Sequence, residues 1–79
     1  MTDKDIKNGL VVSTTKEVGA LIRQARNEAG FKQLDVAGMF GSGNRFIVEA
    51  ENGKETIQAQ KLIDLLGMVG LEMVIRKKT

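Results

Sequence analysis

Apolar residues recur at steps of three and four along the first half of the chain, which is the spacing of an amphipathic helix. Thr14 and Glu17 stand at capping-box spacing before this pattern, and Gly30 stands where a left-handed residue commonly ends a helix. The pattern therefore predicts a first helix over about 15 to 29. Its apolar stripe consists of Val18, Leu21, Ile22, Ala25 and Ala29.

Three shorter helices are predicted further along. The second covers 33 to 40, the third begins at 43 or 44 and ends at 52, and the fourth runs from 56 or 57 to 70, where Gly70 stops it. The run Gly41-Ser42-Gly43 separates the second helix from the third. It is too short for a linker and suits a tight turn between two helices. The sequence thus predicts an all-α domain.

The last nine residues break the helical pattern. Leu71, Met73 and Ile75 alternate with other residues at period two, which is typical of a strand. A lone strand leaves its backbone unpaired, so its partner is the apolar triplet at 10 to 12, another subunit, or both. That triplet is itself either a short strand or a flexible arm. We expect antiparallel pairing with a second copy across a two-fold axis, against the alternative of a frayed helix end with a solvated basic tail. The expected dimerisation residues are Leu71, Met73, Val74 and Ile75.

The pattern divides the 79 residues into three parts: an N-terminal arm at 1–12, a helical domain at 13–70, and a dimerisation strand with a basic tail at 71–79. A domain this short buries only about 60% of its unfolded surface, and oligomerisation is one way to complete its core. The chain has no cysteine and no histidine, so neither a disulfide nor a usual zinc site is expected, and no cofactor is implied.

Twelve Lys and Arg residues face ten Asp and Glu residues, which gives a net charge of only +2. That excess is too small to predict nucleic-acid binding by itself. An enzyme is not expected, because histidine, cysteine and tyrosine are all missing and the only serines are Ser13 and Ser42. No apolar run approaches the roughly 18 residues of a membrane span, and the start lacks a signal-peptide core. A cytoplasmic location is the resulting expectation.

Residues 33 to 52 have the internal spacing of a helix-turn-helix. Two short helices that cross steeply require a small residue where their backbones approach, and Ala37 meets this requirement. Gly41 follows at the offset where the chain turns through a left-handed conformation. Six residues later Ile47 is placed to fill the angle between the two helices. These three residues predict a helix-turn-helix within a domain of several helices.

A longer pattern surrounds these residues: Ile22-Arg23-x-x-Arg26-x-x-x-Gly30-Phe31-Lys32-Gln33-x-x-x-Ala37, then Gly41, then Arg45-Phe46-Ile47-x-x-x-Glu51-Asn52-Gly53-Lys54. In this pattern the chain resembles the Cro/C1-type (Xre) helix-turn-helix repressors over about 15 to 70. The resemblance implies a lambda-repressor-like DNA-binding domain of four to five helices that acts as a homodimeric transcriptional repressor on a palindromic operator.

Four segments narrow the resemblance: Arg45-Phe46-Ile47, Gly53-Lys54-x-Thr56, Lys61-Leu62-Ile63-x-Leu65-Leu66 and the predicted strand after Gly70. In these segments the chain is most similar to the HipB-type antitoxins of that family. This similarity implies an autorepressor that dimerises partly through a C-terminal strand and binds a HipA-type kinase toxin.

The family pattern also implies a set of DNA contacts. Asn44 and Arg45 fall on the leading turn of the third helix, where Asn pairs with adenine and Arg with guanine. Gln33 falls at the start of the second helix, where it holds a phosphate. The remaining implied contacts to the DNA backbone come from Lys32, Ser42, Gly43, Asn52 and Lys54.

Two further implications concern structure. In the family pattern Arg26 and Glu51 form an ion pair between the first and third helices, and Phe46 either packs in the core or touches a thymine methyl. Arg23 is equally compatible with DNA and with a solvated surface. The chain departs from the pattern at two positions. Lys32 replaces a capping Thr or Ser, and Ala50 replaces a larger apolar residue, which leaves space for Phe31, Met39 or Phe46.

A second function remains open at this point. The low net charge favours a protein-interaction module that neutralises or scaffolds a partner without binding DNA. The joint presence of Gln33, Asn44, Arg45 and Lys54 argues against it.

Overall fold

The computed structural model describes residues 8–41 and 43–79. Within these ranges four helices follow one another, and they confirm the predicted all-α architecture. The predicted arm at 1–12 falls partly on residues outside the described ranges, and so does the predicted DNA contact of Ser42. The helices are α1 (Thr15–Glu28), α2 (Gln33–Phe40), α3 (Asn44–Glu51) and α4 (Ala59–Met68).

Helix α1 is capped at both ends as the sequence predicts. The Thr14 hydroxyl accepts a hydrogen bond from the Glu17 amide at 3.1 Å, and the Glu17 carboxylate accepts one from the Ser13 amide at 3.0 Å. At the other end Gly30 adopts a left-handed φ of 80°, and the next amide donates back to the Arg26 carbonyl at 3.1 Å. Both ends of α1 are therefore fixed by local hydrogen bonds.

Helix α2 begins without the hydroxyl cap that is common in the family, yet its start is stabilised in another way. Lys32 is the N-cap, and its backbone amide donates to the Asp35 carboxylate at 2.7 Å. Asp35 thus takes the reciprocal half of a capping box and also places negative charge on the first turn. The absence of Thr or Ser at 32 is offset by this residue three positions later.

The core draws one fully buried aliphatic side chain from each helix: Ile22, Val36, Ile47 and Leu65. Each lies on the apolar face that the helical spacing predicts, so burial of these four side chains sets how the helices pack. Phe31, Phe46 and Ile57 cover the core from its edges and remain partly exposed. Helix α4 starts at Ala59, later than predicted, because 55 and 56 form a turn and Gln58 is extended.

Helices α1 and α3 approach each other closely at Gly19. A Cβ at this position would overlap the Ala50 carbonyl oxygen, so the close approach depends on glycine. Ala50 is itself buried, and of the residues expected to fill the space beside it, Phe31 and Phe46 pack against the core that contains it, whereas Met39 is 49% exposed.

A second close approach ties the start of α1 to the residues that follow α3. The Thr15 hydroxyl donates to the Gly53 carbonyl at 2.8 Å, and a Cβ on Gly53 would overlap the Lys16 Cα. Gly53 also has a left-handed φ of 76°. Glycine is thus required at 53 both by its conformation and by its neighbour.

The predicted C-terminal strand is absent from the described part of the chain. Residues 71–79 form neither helix nor strand, and 10–12 do not pair with them. Leu71, assigned to the dimer contact, instead packs against the core, and its amide donates to the Leu66 carbonyl at 2.8 Å. A strand requires a partner strand, and this single chain provides none. The apolar side chains beyond it, Met73, Val74 and Ile75, are exposed.

Among the helices of residues 8–41 and 43–79, none is long and apolar enough to cross a membrane.

Candidate nucleic-acid interface

The turn between α2 and α3 has the geometry that Ala37, Gly41 and Ile47 predict. Ala37 is 4% exposed and Ile47 is completely buried, so both fill the angle between the helices. Gly41 ends α2 with a left-handed φ of 74°, and Gly43 is the N-cap of α3. This arrangement fixes α3 from its buried side and leaves its first turn at the surface of the domain.

Arg45 is the most exposed of the predicted base-reading residues. Its side chain is 88% exposed, and its Nε lies 3.6 Å from the Glu49 carboxylate one helical turn later. An exposed pair of this kind is weak and opens easily. The guanidinium therefore has the exposure and the planar donors that recognition of guanine requires.

Asn44 is less accessible than Arg45. It lies at the start of α3, but its side-chain carbonyl oxygen is buried, and no residue in the described part of the chain donates to it. A base-reading amide needs both its donor and its acceptor accessible. Asn44 is partly exposed, so its contact with adenine stays a prediction, and Arg45 is the open side chain of the first turn.

Glu49 was not among the predicted site residues, yet it organises the charges on α3. Its Oε2 lies 2.9 Å from Lys54 Nζ and 3.6 Å from Arg45 Nε. The hydrogen bond from Lys54 holds the pKa of the Glu49 carboxyl below its ordinary value, and the charge of Arg45 adds to this effect. The spacing of Arg45 and Glu49, four residues apart on a helix, was the sequence signal.

The ion pair implied by the family pattern is present at the other end of α3. Arg26 donates to Glu51 through Nε at 2.5 Å and through Nη2 at 3.0 Å. Both residues are buried, at 9% and 4% exposure. Burial alone raises the pKa of the Glu51 carboxyl, but hydrogen bonds from Arg26, Gln33 and Arg23 outweigh it and leave the pKa below its ordinary value. Glu51 therefore stays ionised inside the domain.

Glu51 also accepts hydrogen bonds from two further residues, one predicted to bind a phosphate and one whose role was left open. Gln33, expected at a phosphate, donates its amide to Glu51 at 3.1 Å and is only partly exposed. Arg23 donates to Glu51 at 3.3 Å and to the Asn52 side chain at 3.3 Å. Asn52, an expected phosphate contact, is therefore engaged with Arg23. These polar residues are brought together by Glu51, a partner that no local spacing indicated.

The aromatic residues support the core interpretation of Phe46. Its ring stacks on Phe40 with centroids 5.2 Å apart, and the Lys61 ammonium lies 5.8 Å from its centroid. Phe46 is partly buried against the core, in keeping with a packing role. Of the predicted phosphate contacts, Lys32 and Lys54 are both exposed and reach solvent next to α2 and α3.

A short α2, a left-handed turn and an outward first turn of α3 define a helix-turn-helix protein. No protein-family model matches the chain. It is, however, 39% identical over 64 residues to the HTH-type transcriptional regulator y4mF of Sinorhizobium fredii (strain NBRC 101917 / NGR234), and the match covers 81% of this chain and 84% of that protein. The chain belongs to the HTH-type transcriptional regulators. This membership agrees with the prediction that the protein is not an enzyme.

Solved structures of HipB share the fold. HipB(S29A) in complex with an O2 20-mer has a TM-score of 0.79 and 16% identity, over 89% of this chain and 97% of that one. HipB in the HipA-HipB-O2-O3 complex gives the same score and identity, over 89% and 99%. Membership of the HTH-type regulators rests on the sequence identity, and the fold that the resemblance to HipB predicts is confirmed.

Proposed function

We propose that this protein is a sequence-specific DNA-binding transcriptional repressor that works as a homodimer. The observation that carries the proposal is the outward first turn of α3. Ile47 packs the opposite side of α3 into the core, and Gly41 ends α2 just before the turn. A helix presented in this way enters the major groove, and its first turn meets the base edges. Arg45 is the exposed side chain at that place.

The contacts divide into two kinds. Arg45 reads a guanine through two hydrogen bonds, a contact that carries sequence information. Lys32 and Lys54 bind phosphates on either side, and such contacts position the protein without reading sequence. Gly43 brings the start of α3 close to the DNA backbone, where helix amides favour phosphate.

The dimer is proposed to form through the C-terminal segment. Met73, Val74 and Ile75 are 49%, 69% and 92% exposed in the single chain, and this apolar segment follows directly on the core contact of Leu71. Antiparallel pairing with the same segment of a second copy satisfies its backbone and covers part of this surface. A two-fold dimer places two copies of α3 about 34 Å apart and matches a palindromic operator.

The biological setting we propose is a toxin–antitoxin operon, in which the protein neutralises a HipA-type kinase and represses its own promoter. The support is the shared fold with HipB, which has been solved in a HipA-HipB-O2-O3 complex. Co-purification of this chain with the product of any kinase-like gene beside its own tests this part. A kinase that neither binds the chain nor is inhibited by it would limit the function to repression.

The DNA-binding proposal is tested by mobility shift on the DNA upstream of the protein's own coding sequence and on random duplex of equal length. A specific repressor prefers its operator by about 1,000-fold or more and loses affinity steeply between about 50 and 200 mM salt. Equal affinity for both duplexes contradicts the proposal. No binding to either favours the alternative of a protein-interaction module.

A further inference from the structure

Glu49 holds the two cations that the proposed DNA contact uses. Its Oε2 is 2.9 Å from Lys54 Nζ and 3.6 Å from Arg45 Nε. The side chains of Arg45 and Lys54 are 88% and 44% exposed, whereas that of Glu49 is 29% exposed. A DNA duplex that approaches α3 therefore meets two cations already paired with a carboxylate on the same surface.

We propose that Glu49 is a specificity-determining residue, which accepts a hydrogen bond from the exocyclic amine of cytosine in the operator and weakens binding to DNA that lacks this donor. The inference rests on the proposed function, since it places Glu49 in the DNA contact of α3. Glu49 follows Arg45 by four residues on one helix, so the two side chains lie on the same face. A DNA major groove that accommodates the Arg45 side chain therefore also faces Glu49.

The chemistry of a carboxylate gives the reason for selectivity. An ionised Glu only accepts hydrogen bonds, and phosphate oxygens only accept them as well. Random DNA, which is bound almost wholly through phosphates, must therefore separate Arg45 and Lys54 from Glu49 without giving the carboxylate a new donor. Cytosine presents its N4 amine in the major groove and is the base that Glu commonly reads. Adenine also presents an amine there, but Asn and Gln are its usual readers, so we assign cytosine to Glu49 and expect a site with no amine at that place to leave the carboxylate uncompensated.

The first test compares the wild type with Glu49→Gln on the operator and on a random-sequence duplex, by fluorescence anisotropy at several salt concentrations. An exposed ion pair is worth up to about a factor of five, so release of two cations raises affinity for random duplex by roughly 2- to 30-fold. Every additional phosphate that the freed cations bind also steepens the salt slope by about one. Affinity for the operator rises less, since the variant loses the charged hydrogen-bond acceptor for cytosine. The ratio of operator affinity to random-duplex affinity therefore falls by about tenfold.

Glu55→Gln is the matched control. Glu55 is exposed, lies next to Lys54, and makes no ion pair with any residue of the described chain, so its substitution removes the same charge without releasing a cation. Its effect on random duplex is expected to be smaller than that of Glu49→Gln. Combining Glu49→Gln with Lys54→Ala should abolish part of the increase in affinity, because one of the released cations is then missing.

The outcomes separate this inference from the proposed function. A wild type that prefers its operator, with the same preference in Glu49→Gln, overturns the role of Glu49 and leaves the repressor intact. Equal effects of Glu49→Gln and Glu55→Gln on random duplex also overturn it, since general charge then explains the change. A wild type with no preference for any duplex overturns the proposed function itself. Selection of binding sites from random DNA should show a cytosine that Glu49→Gln no longer requires.

Discussion

The guanidinium of Arg26 meets the carboxylate of Glu51 through two hydrogen bonds, which join the last turn of α1 to the last residue of α3. Arg26 Nη1 also donates to the Phe31 carbonyl at 2.8 Å, so the same side chain reaches the loop before α2. Three elements of the DNA-binding unit thus depend on one buried ion pair.

Arg26→Ala is expected to destabilise the domain by about 3 kcal/mol, because it leaves the Glu51 charge buried with weaker partners. Small domains are stable by only about 0.05–0.15 kcal/mol per residue, so this is a large loss. Arg23→Ala is the control. Its side chain is 51% exposed, and its contact with Glu51 should contribute less than about 1 kcal/mol. Urea unfolding of both variants measures the difference, and equal losses would contradict a special role for Arg26.

Stability should fall in acid because the pKa of Glu51 is lower in the folded protein than in the unfolded chain. The unfolded chain then binds more protons, so stability rises with pH. The contribution is fully present above the ordinary value of 4.5 and is lost as the pH falls through the folded pKa. Glu17 and Glu49 have lowered pKa values and add in the same direction. Unfolding free energies measured from neutral pH into acid test this, and Glu51→Gln should flatten the dependence without abolishing it.

Gly19→Ala should destabilise the domain by about 1–3 kcal/mol, since the new methyl group collides with the backbone of Ala50 and Glu51. Gly67→Ala on α4 is the matched control, because nothing lies within 4 Å of its added Cβ. There the better helix propensity of alanine should stabilise by up to about 1 kcal/mol. Opposite signs in thermal unfolding are expected, and a neutral Gly19→Ala would show that the two helices separate easily.

Arg45→Ala should reduce discrimination at one base pair of the operator by about 10- to 100-fold, in keeping with the value of a bidentate Arg–guanine contact. Lys54→Ala provides the contrast. It should weaken binding to operator and to random DNA to similar degrees, and it should reduce the slope of log affinity against log salt concentration by about one. Mobility shifts on operators substituted at each position separate the two effects. Unaltered discrimination by the Arg45→Ala variant would show that Arg45 does not read a base.

Removal of residues 73–79 should convert the proposed dimer to a monomer while the helical domain stays folded, because this cut keeps the core contact of Leu71. Lys77→Gln combined with Lys78→Gln changes the charge of the tail and keeps its apolar residues, so this variant should remain dimeric. Sedimentation equilibrium gives the mass in each case. A truncated chain that is still a dimer would place the interface elsewhere.

The helix-turn-helix was predictable because its determinants are local. Ala37, Gly41 and Ile47 act at fixed offsets, and the structure places each one as the offsets require. The pairing of Arg26 with Glu51 came from resemblance to a family, since 25 residues separate them along the chain. The bounds of α1, α2 and α3 were predicted within one residue, and α4 starts two or three residues later than predicted.

Other features depend on contacts that no spacing reveals. The inward amide of Gln33 and the buried carbonyl of Asn44 follow from how α2 and α3 pack, and the closeness of Gly19 to Ala50 follows from how α1 crosses α3. The predicted strand was wrong for the single chain because alternation along a sequence indicates a face and does not supply a partner.

The bond from Thr15 to the Gly53 carbonyl has a consequence for how this regulator acquires new targets. Gly53 follows α3 directly and lies against α1, so a change in the tilt of α3 would strain this hydrogen bond and the close contact with Lys16. A descendant of this chain would therefore change promoters more readily by exchanging the residues that α3 displays than by reorienting the helix.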